Sequence, residues 1–262
     1  MIDVKEANVL YLDGKFERAA DLYLAGAKEG DAECALNYGT CLYLGEGRER
    51  DVSEARSFFL FASERYPEAK YNLAVMYLEG IGADKDYRLA LEYMEAAADG
   101  GMIEAMLYLG VARTMGTLFI PDVCLISRIP YHRPITREAF PLIEGECTEG
   151  ELDREGRYPT VMTDLSDAFH YFKSAAHHPT DYVEDMALKA KYLYARCYLD
   201  GVGVDFNRDT ANRLMLAAAS EGSKEALFYL ETDAPYVLSS LSKDKLDEIR
   251  FKFERLGSTE NG

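Results

Sequence analysis

The sequence predicts an all-α fold, a solenoid of antiparallel helix pairs with one irregular insertion. Three observations carry that expectation. YGTCLYLGEG at 38–47, LAVMYLEGIG at 73–82, LGVARTMGTL at 109–118 and YARCYLDGVG at 194–203 share one pattern, an apolar residue first and a glycine in eighth place. Those glycines, Gly45, Gly80, Gly116 and Gly201, are separated by 35, 36 and 85 residues, and a period in the thirties marks stacked helical hairpins. Between them runs a second pattern, an acidic or amide residue followed four places on by alanine: Asp51/Ala55, Asp86/Ala90, Asp164/Ala168 and Asn207/Ala211. The 262 residues exceed the usual size of a domain with one core, and an array avoids that limit because each repeat buries its face against its neighbours.

The elements follow in order. Residues 2–29 read as a hairpin with a short turn at Asp13-Gly14, and repeats are expected at 31–66, 67–100, 101–178, 183–222 and 223–256. The first helix of each repeat places a small residue four positions before its apolar one: Cys34 and Tyr38, Ala69 and Leu73, Ala105 and Leu109, Ala190 and Tyr194, Ala226 and Leu230. That spacing makes a stripe on a 3.6-residue helix. The glycine then turns the chain, and Asp51, Asp86, Asp164 and Asn207 suit N-caps that accept from free first-turn amides. The second helix carries Ala55-Phe59-Ala62, Ala90-Met94-Ala97, Ala168-Phe172-Ala175 or Ala211-Leu214/Met215-Ala218, and Ala20-Leu24-Ala27 is expected to do the same near the start. Ala74, Ala97 and Ala218 are expected to be buried at helix contacts.

The third repeat is interrupted. Its first helix ends near Met115-Gly116 and its second begins at Asp164, leaving an insertion at 117–163. Prolines 121, 130, 134 and 141 exclude one long helix there. The apolar half of the insertion (Leu118, Phe119, Ile120, Leu125, Ile126, Ile129) is expected to pack on the solenoid, since it would otherwise expose a large patch. Long aperiodic insertions are usually functional or mobile. The segment 242–256 is amphipathic and is expected to cap the last repeat.

Charge narrows the partners. The net charge is −17 without a basic stripe, which argues against nucleic acid and anionic membrane surfaces. The N-terminus lacks an apolar signal core, and no run approaches a spanning length. Cys34 and Cys41 sit two helical turns apart, about 10 Å, too far to bond to each other. The odd count of five cysteines suggests buried thiols, no intramolecular disulfide and a cytoplasmic location.

No catalytic, metal-binding or cofactor-binding constellation is expected. The four histidines, His132, His170, His177 and His178, form no HExxH pattern. His177 and His178 end a helix, where a cation suits the dipole. The acids Glu144, Glu146, Glu149, Glu151, Asp153 and Glu155 lack the ligand order of a calcium loop and read as a solvated segment.

LAVMYLEGIGADKDYRLALEYMEAAADG (73–100) and YARCYLDGVGVDFNRDTANRLMLAAASEG (194–222) resemble the Sel-one-like repeat, a relative of the tetratricopeptide repeat with a longer inter-helix loop. EANVLYLDGKFERAADLYLAGA (6–27) is similar to an ordinary tetratricopeptide hairpin. The family's usual tryptophan in the second helix is replaced here by Phe58, Tyr93, Tyr171 and Leu214. The resemblance implies a right-handed superhelix and a non-catalytic adaptor or scaffold. Transferred by register from tetratricopeptide helices, a concave groove would collect Glu33, Tyr43, Glu68, Tyr71, Glu104, Lys189, Tyr192, Tyr198, Glu225 and Phe228, with Leu36, Thr40, Val75 and Leu107 among them. A glutamate recurs at one register in four of five repeats, and the next groove position is always apolar or aromatic. Such a groove would take a protein or peptide with basic and apolar anchors. Packing between repeats explains the same residues equally simply. A second functional expectation is a cytoplasmic inhibitor or immunity-type protein that blocks one toxin or enzyme through the 117–163 insertion.

Overall fold

The computed structural model describes residues 4–116, 118, 162–178 and 184–259. They form thirteen helices and, among the described residues, no strand. In order these are α1 (Val4–Leu12), α2 (Phe16–Lys28), α3 (Ala32–Leu44), α4 (Val52–Ala62), α5 (Pro67–Glu79), α6 (Tyr87–Asp99), α7 (Ile103–Met115), α8 (Leu165–His177), α9 (Glu184–Asp200), α10 (Arg208–Glu221), α11 (Lys224–Thr232), α12 (Pro235–Ser239) and α13 (Lys243–Thr259). The chain divides into two compact units, and the division falls inside α7, between Tyr108 and Leu109. Within each unit, consecutive helices pack on one another: α1 to α6 in the first, α8 to α12 in the second, with α13 against α10. This is the sequential packing of a helical-repeat array.

The second helices start where the caps dictate. Asp51, Asp86, Asp164 and Asn207 accept, respectively, from the amides of Glu54, Leu89, Asp167 and Thr210 at 2.8, 3.0, 2.9 and 2.9 Å. The cap residue's own amide donates back to the first helix, to the carbonyls of Leu42, Tyr77, Arg113 and Tyr198 in turn, at 2.8–3.0 Å. Each hairpin is therefore closed by the same two bonds. The third closes identically although the insertion lies between its helices, and a 3.3 Å ion pair from Arg113 to Asp167 reinforces it. The loops need two glycines. The first takes positive φ, 76° at Gly45 and 72° at Gly80. The second lies against an earlier helix start, Gly47 on Phe16, Gly82 on Val52 and Gly203 on Leu165, where a Cβ would overlap backbone atoms.

The second-helix alanines are core, as their spacing predicts: Ala55, Ala62, Ala97, Ala168, Ala175 and Ala211 are fully buried, as is Ala74 on a first helix. Ala218 is buried as well. In α2 Ala20 is buried as expected, but the rest of the buried set is Ala19, Tyr23 and Gly26, one residue off the alanine spacing, leaving Leu24 and Ala27 half-buried. The reason is Cys34: it lies so close to Gly26 that any Cβ there would overlap its thiol, and this contact sets the rotation of α2. A size match recurs between paired helices. Gly39 faces the Phe59 ring and Gly110 faces the Phe172 ring, where an added Cβ would come within 2.8 and 2.6 Å. At the same register Ala74 and Ala195 accompany the slimmer Met94 and Met215. Two of the aromatic stand-ins for the family tryptophan stack on the first helix of their own repeat, Phe58 edge-on to Tyr38 (4.9 Å) and Tyr93 flat against Tyr77 (5.8 Å). Cys34, Cys41 and Cys197 are buried. Burial pushes the Cys34 and Cys197 thiols up to about 12, so both behave as small apolar groups. Cys124 and Cys147 lie outside the described residues.

The short helix α12 was not anticipated by periodicity. Pro235 starts it, and Tyr236 fixes it by accepting at 2.6 Å from Asn212 Nδ2, whose Oδ1 accepts from Tyr229 at 3.0 Å. Ile249 of α13 is buried, in keeping with the expected C-terminal amphipathic helix.

Candidate functional site

The register positions offered as a binding surface have different surroundings in the two units. In the first unit they are mostly core. Leu36 on α3 is fully buried, and Thr40 is buried with its hydroxyl donating to the Leu36 carbonyl at 3.0 Å. Tyr43 is 1% exposed. The Arg50 guanidinium lies 5.6 Å from its ring centroid, and Arg50 Nε donates to the Tyr43 carbonyl at 2.9 Å. Burial pushes the Tyr43 phenol up to about 12. On α5, Tyr71 is 1% exposed and Val75 is buried; on α7, Glu104 and Leu107 are buried. Tyr43, Tyr71 and Glu104 are thus withdrawn from any accessible surface, which corrects the register-based expectation. The cause is written around the helices: every residue of α3 from Cys34 to Tyr43 is buried, and a helix apolar or small on all sides packs on all sides.

Glu33 and Glu68 remain half-buried. Glu33 accepts from Asn8 Nδ2 at 3.4 Å, and Asn8 Oδ1 accepts from the Tyr23 hydroxyl at 2.6 Å and from Asn37 Nδ2 at 3.4 Å. This network ties α1, α2 and α3 together, so Glu33 acts in packing the first hairpins. Tyr66 feels Glu33, Asp31 and Glu68, but burial is the main cause that raises its phenol.

In the second unit the same register is open. Lys189 on α9 is exposed and Tyr192 is half-buried. Arg196 donates to the Tyr192 hydroxyl at 3.1 Å, stands 6.0 Å over that ring, and clasps Asp200 through Nε and Nη2 at 2.9 and 3.1 Å. Arg196 is the residue that periodicity missed. It stands two places after Tyr194, where Thr40 follows Tyr38, and a charged residue amid apolar neighbours was the available signal. Tyr198 falls one residue off that register. It packs instead on Phe169 of α8 (5.8 Å) and on Tyr194 (5.7 Å), because four residues after Tyr194 is the same helical stripe. On α11, Glu225 and Glu231 are exposed and Phe228 is 66% exposed. Tyr192 and Leu199 of α9 pack with Leu227 and Tyr229 of α11 around Ala195, Ala226 and Leu230, so these two first helices are neighbours.

Among the described residues no group of three or more His, Cys, Asp or Glu side chains could hold a metal ion. His177 Nδ1 donates to the Lys173 carbonyl at 2.8 Å, at the end of α8 where its dipole role was expected. His132, the acids from Glu144 to Glu155, and the remainder of the insertion apart from Leu118, Met162 and Thr163 lie outside the described residues. Leu118 is buried, and its carbonyl accepts from the Tyr108 hydroxyl. No helix of the described residues is long and apolar enough to cross a membrane.

Paired helices closed by recurrent caps and glycine turns define a helical-repeat scaffold for protein interaction. The Sel1 repeat model matches residues 32–65, 67–102, 154–178 and 188–223, half of the chain, and the chain belongs to the Sel1 repeat family. Protein sel-1 homolog 2 of Homo sapiens is 31% identical over 100 residues, 37% of this chain and 14% of that protein. The ERAD-associated E3 ubiquitin-protein ligase component HRD3B of Arabidopsis thaliana is 32% identical over 84 residues, 32% of this chain and 14% of that protein. The chain thus spans about a seventh of the length of these curated relatives. A crystal structure of a Sel1 repeat protein from Oxalobacter formigenes aligns over 99% of this chain and 86% of its own, with a TM-score of 0.63 at 17% identity. That likeness places the fold as an all-α solenoid of helix pairs.

Proposed function

We propose that this Sel1 repeat protein is a non-catalytic scaffold that binds a protein or peptide through the first helices of its second unit. The observation that carries this reading is the exposure of Phe228 (66%) at the register where Leu36, Tyr71 and Leu107 are core. A large apolar side chain left in water is the mark of a binding hot spot, and the neighbouring helix α9 adds a second, half-buried aromatic, Tyr192. Lys189 on α9 and Glu225 on α11 are exposed as well. The HRD3B relative is by its name a component of a larger assembly, which supports an assembly role here without naming a partner. The partner segment supplies apolar anchors for Tyr192 and Phe228 and basic residues for the acids, and the −17 charge draws it in through a field that salt screens. The buried thiols of Cys34 and Cys197 suit a reducing compartment such as the cytoplasm.

The test is site-specific photo-crosslinking in cells. A photoreactive phenylalanine analogue at position 228 or 192 is expected to trap a discrete partner, and the same analogue at buried position 71 is expected to trap none. Equal trapping at all three positions, or none at 228 and 192, refutes the assignment of this face.

A further inference from the structure

We infer that α11 selects a partner segment in which one apolar side chain is flanked on both sides by lysine or arginine. This rests on the reading of the second unit as the binding face and specifies the chemistry of its ligand. Glu225, Phe228 and Glu231, three residues apart, are exposed along one side of α11, with Lys224, itself engaged by another group, exposed one turn before Phe228. Residues at that spacing are neighbours on a helix surface, each about 4.5 Å further along the axis. The opposite side of the helix is occupied, since Ala226 and Leu230 are buried in the cluster shared with α9. The aromatic ring is therefore bracketed by two carboxylates on a face turned to solvent.

The two carboxylates are not used internally. Glu225 accepts only a 3.3 Å bond from the Ser223 hydroxyl, which caps the same helix, and neither Glu225 nor Glu231 is held in an ion pair among the described residues. Elsewhere in this unit exposed acids do find cations, Asp200 with Arg196 and Glu221 with Lys191. Lys224, the cation of α11 itself, forms no ion pair with either carboxylate, so a partner's cations can take them, and the overall −17 charge favours that sign of partner. An extended segment places alternate side chains on one side about 6.6 Å apart. Lysines two residues before and after an apolar residue then reach Glu225 and Glu231 while the apolar group covers Phe228.

The probe is a labelled peptide, acetyl-Gly-Lys-Ser-Leu-Ser-Lys-Gly-amide, titrated into the full-length protein at low salt and followed by amide chemical shifts. Two control peptides replace the leucine by serine or both lysines by glutamate. The shifts are expected to cluster on α11 and neighbouring α9, and each control is expected to bind at least about tenfold more weakly. Phe228→Ala should weaken the probe about tenfold, and Glu225→Gln with Glu231→Gln should remove most of its salt dependence without moving its site. Equal binding of the serine control, or shifts centred away from α11, overturns the inference. Crosslinking at 228 that persists while the probe and its glutamate control bind alike leaves the binding face standing and refutes only the charge rule.

Discussion

The first helices of the two units run the same register into opposite environments. On α3 and α5 the side chains at the groove positions (Leu36, Tyr43, Tyr71, Val75) are at most 2% exposed, whereas on α11 Phe228 is 66% exposed. The difference lies in what else each helix carries. Between Ala32 and Leu44 the only charged residue is Glu33, and α5 carries charge only towards its ends (Glu68, Lys70 and Glu79), while α9 carries Glu184, Asp185, Lys189, Lys191, Arg196 and Asp200 and the nine residues of α11 include Lys224, Glu225 and Glu231. A helix without a polar side is consumed by the core on every side, and one with a polar side keeps a face in water. Register tells which residues share a face. The composition of the rest of the helix tells whether that face is open.

The largest effect that tests this contrast is at Tyr71. Truncating a fully buried aromatic removes its transfer energy and leaves a cavity, so Tyr71→Ala should cost about 3–5 kcal/mol in chemical denaturation. A loss below about 1 kcal/mol would mean that Tyr71 faces solvent after all, and that the first unit offers a binding face too.

A smaller effect probes how the paired helices fit. Gly39→Ala places a Cβ 2.8 Å from the Phe59 ring, and Phe59 is fully buried with nowhere to move. The expected loss is about 1–3 kcal/mol from overpacking, partly offset by the better helix propensity of alanine. Adding Phe59→Met recreates the Ala74 and Met94 combination of the next repeat and should recover most of that loss. Strictly additive losses in the double variant would show that the two positions are not matched in size.

Much of this was legible from residues alone, and the reason is local. N-caps at Asp51, Asp86, Asp164 and Asn207, and the small residues under Phe59, Met94, Phe172 and Met215, are decided by backbone hydrogen bonds and volume within a single hairpin. The candidate surface was less legible because exposure depends on what the neighbouring hairpins cover. Tyr43 and Tyr192 look alike as letters. One lies under Arg50 in the core, and the other holds Arg196 at a half-open face. The slip at Tyr198 has a simpler cause, since counting four residues from Tyr194 follows the buried stripe. In α2 the rotation set by the Gly26 and Cys34 contact is tertiary and left no mark in the alanine spacing.

The insertion supplies the third test. The hairpin of α7 and α8 closes with the same Asp164-to-Arg113 bond as its shorter counterparts, plus an ion pair to Asp167. Replacing 119–163 by Ala-Asp-Lys keeps Leu118 and gives the loop the length it has between Gly80 and Asp86. The melting temperature should then fall by no more than about 2–4 °C, roughly 1 kcal/mol for a chain of this size. Unfolding of this variant would show that the insertion is part of the core. Intact folding with partner capture abolished would favour the inhibitor reading, in which the insertion itself is the working surface.

The smallest expected effect closes the comparison from the other side. Phe228→Ser removes a ring that is already mostly in water, so the folded state loses little apolar burial. Its stability should stay within about 0.5 kcal/mol of the parent, against several kcal/mol for Tyr71→Ala at the same register. The sign is informative as well. A slight gain would mean that Phe228 strains or aggregates the free protein, a penalty that selection tolerates only where a residue serves binding. A loss above about 2 kcal/mol, measured by denaturant melts in which the m-value is unchanged, would mean that the ring is packed in solution. In that case α11 would behave like α3 and α5, and the second unit would lose its open face.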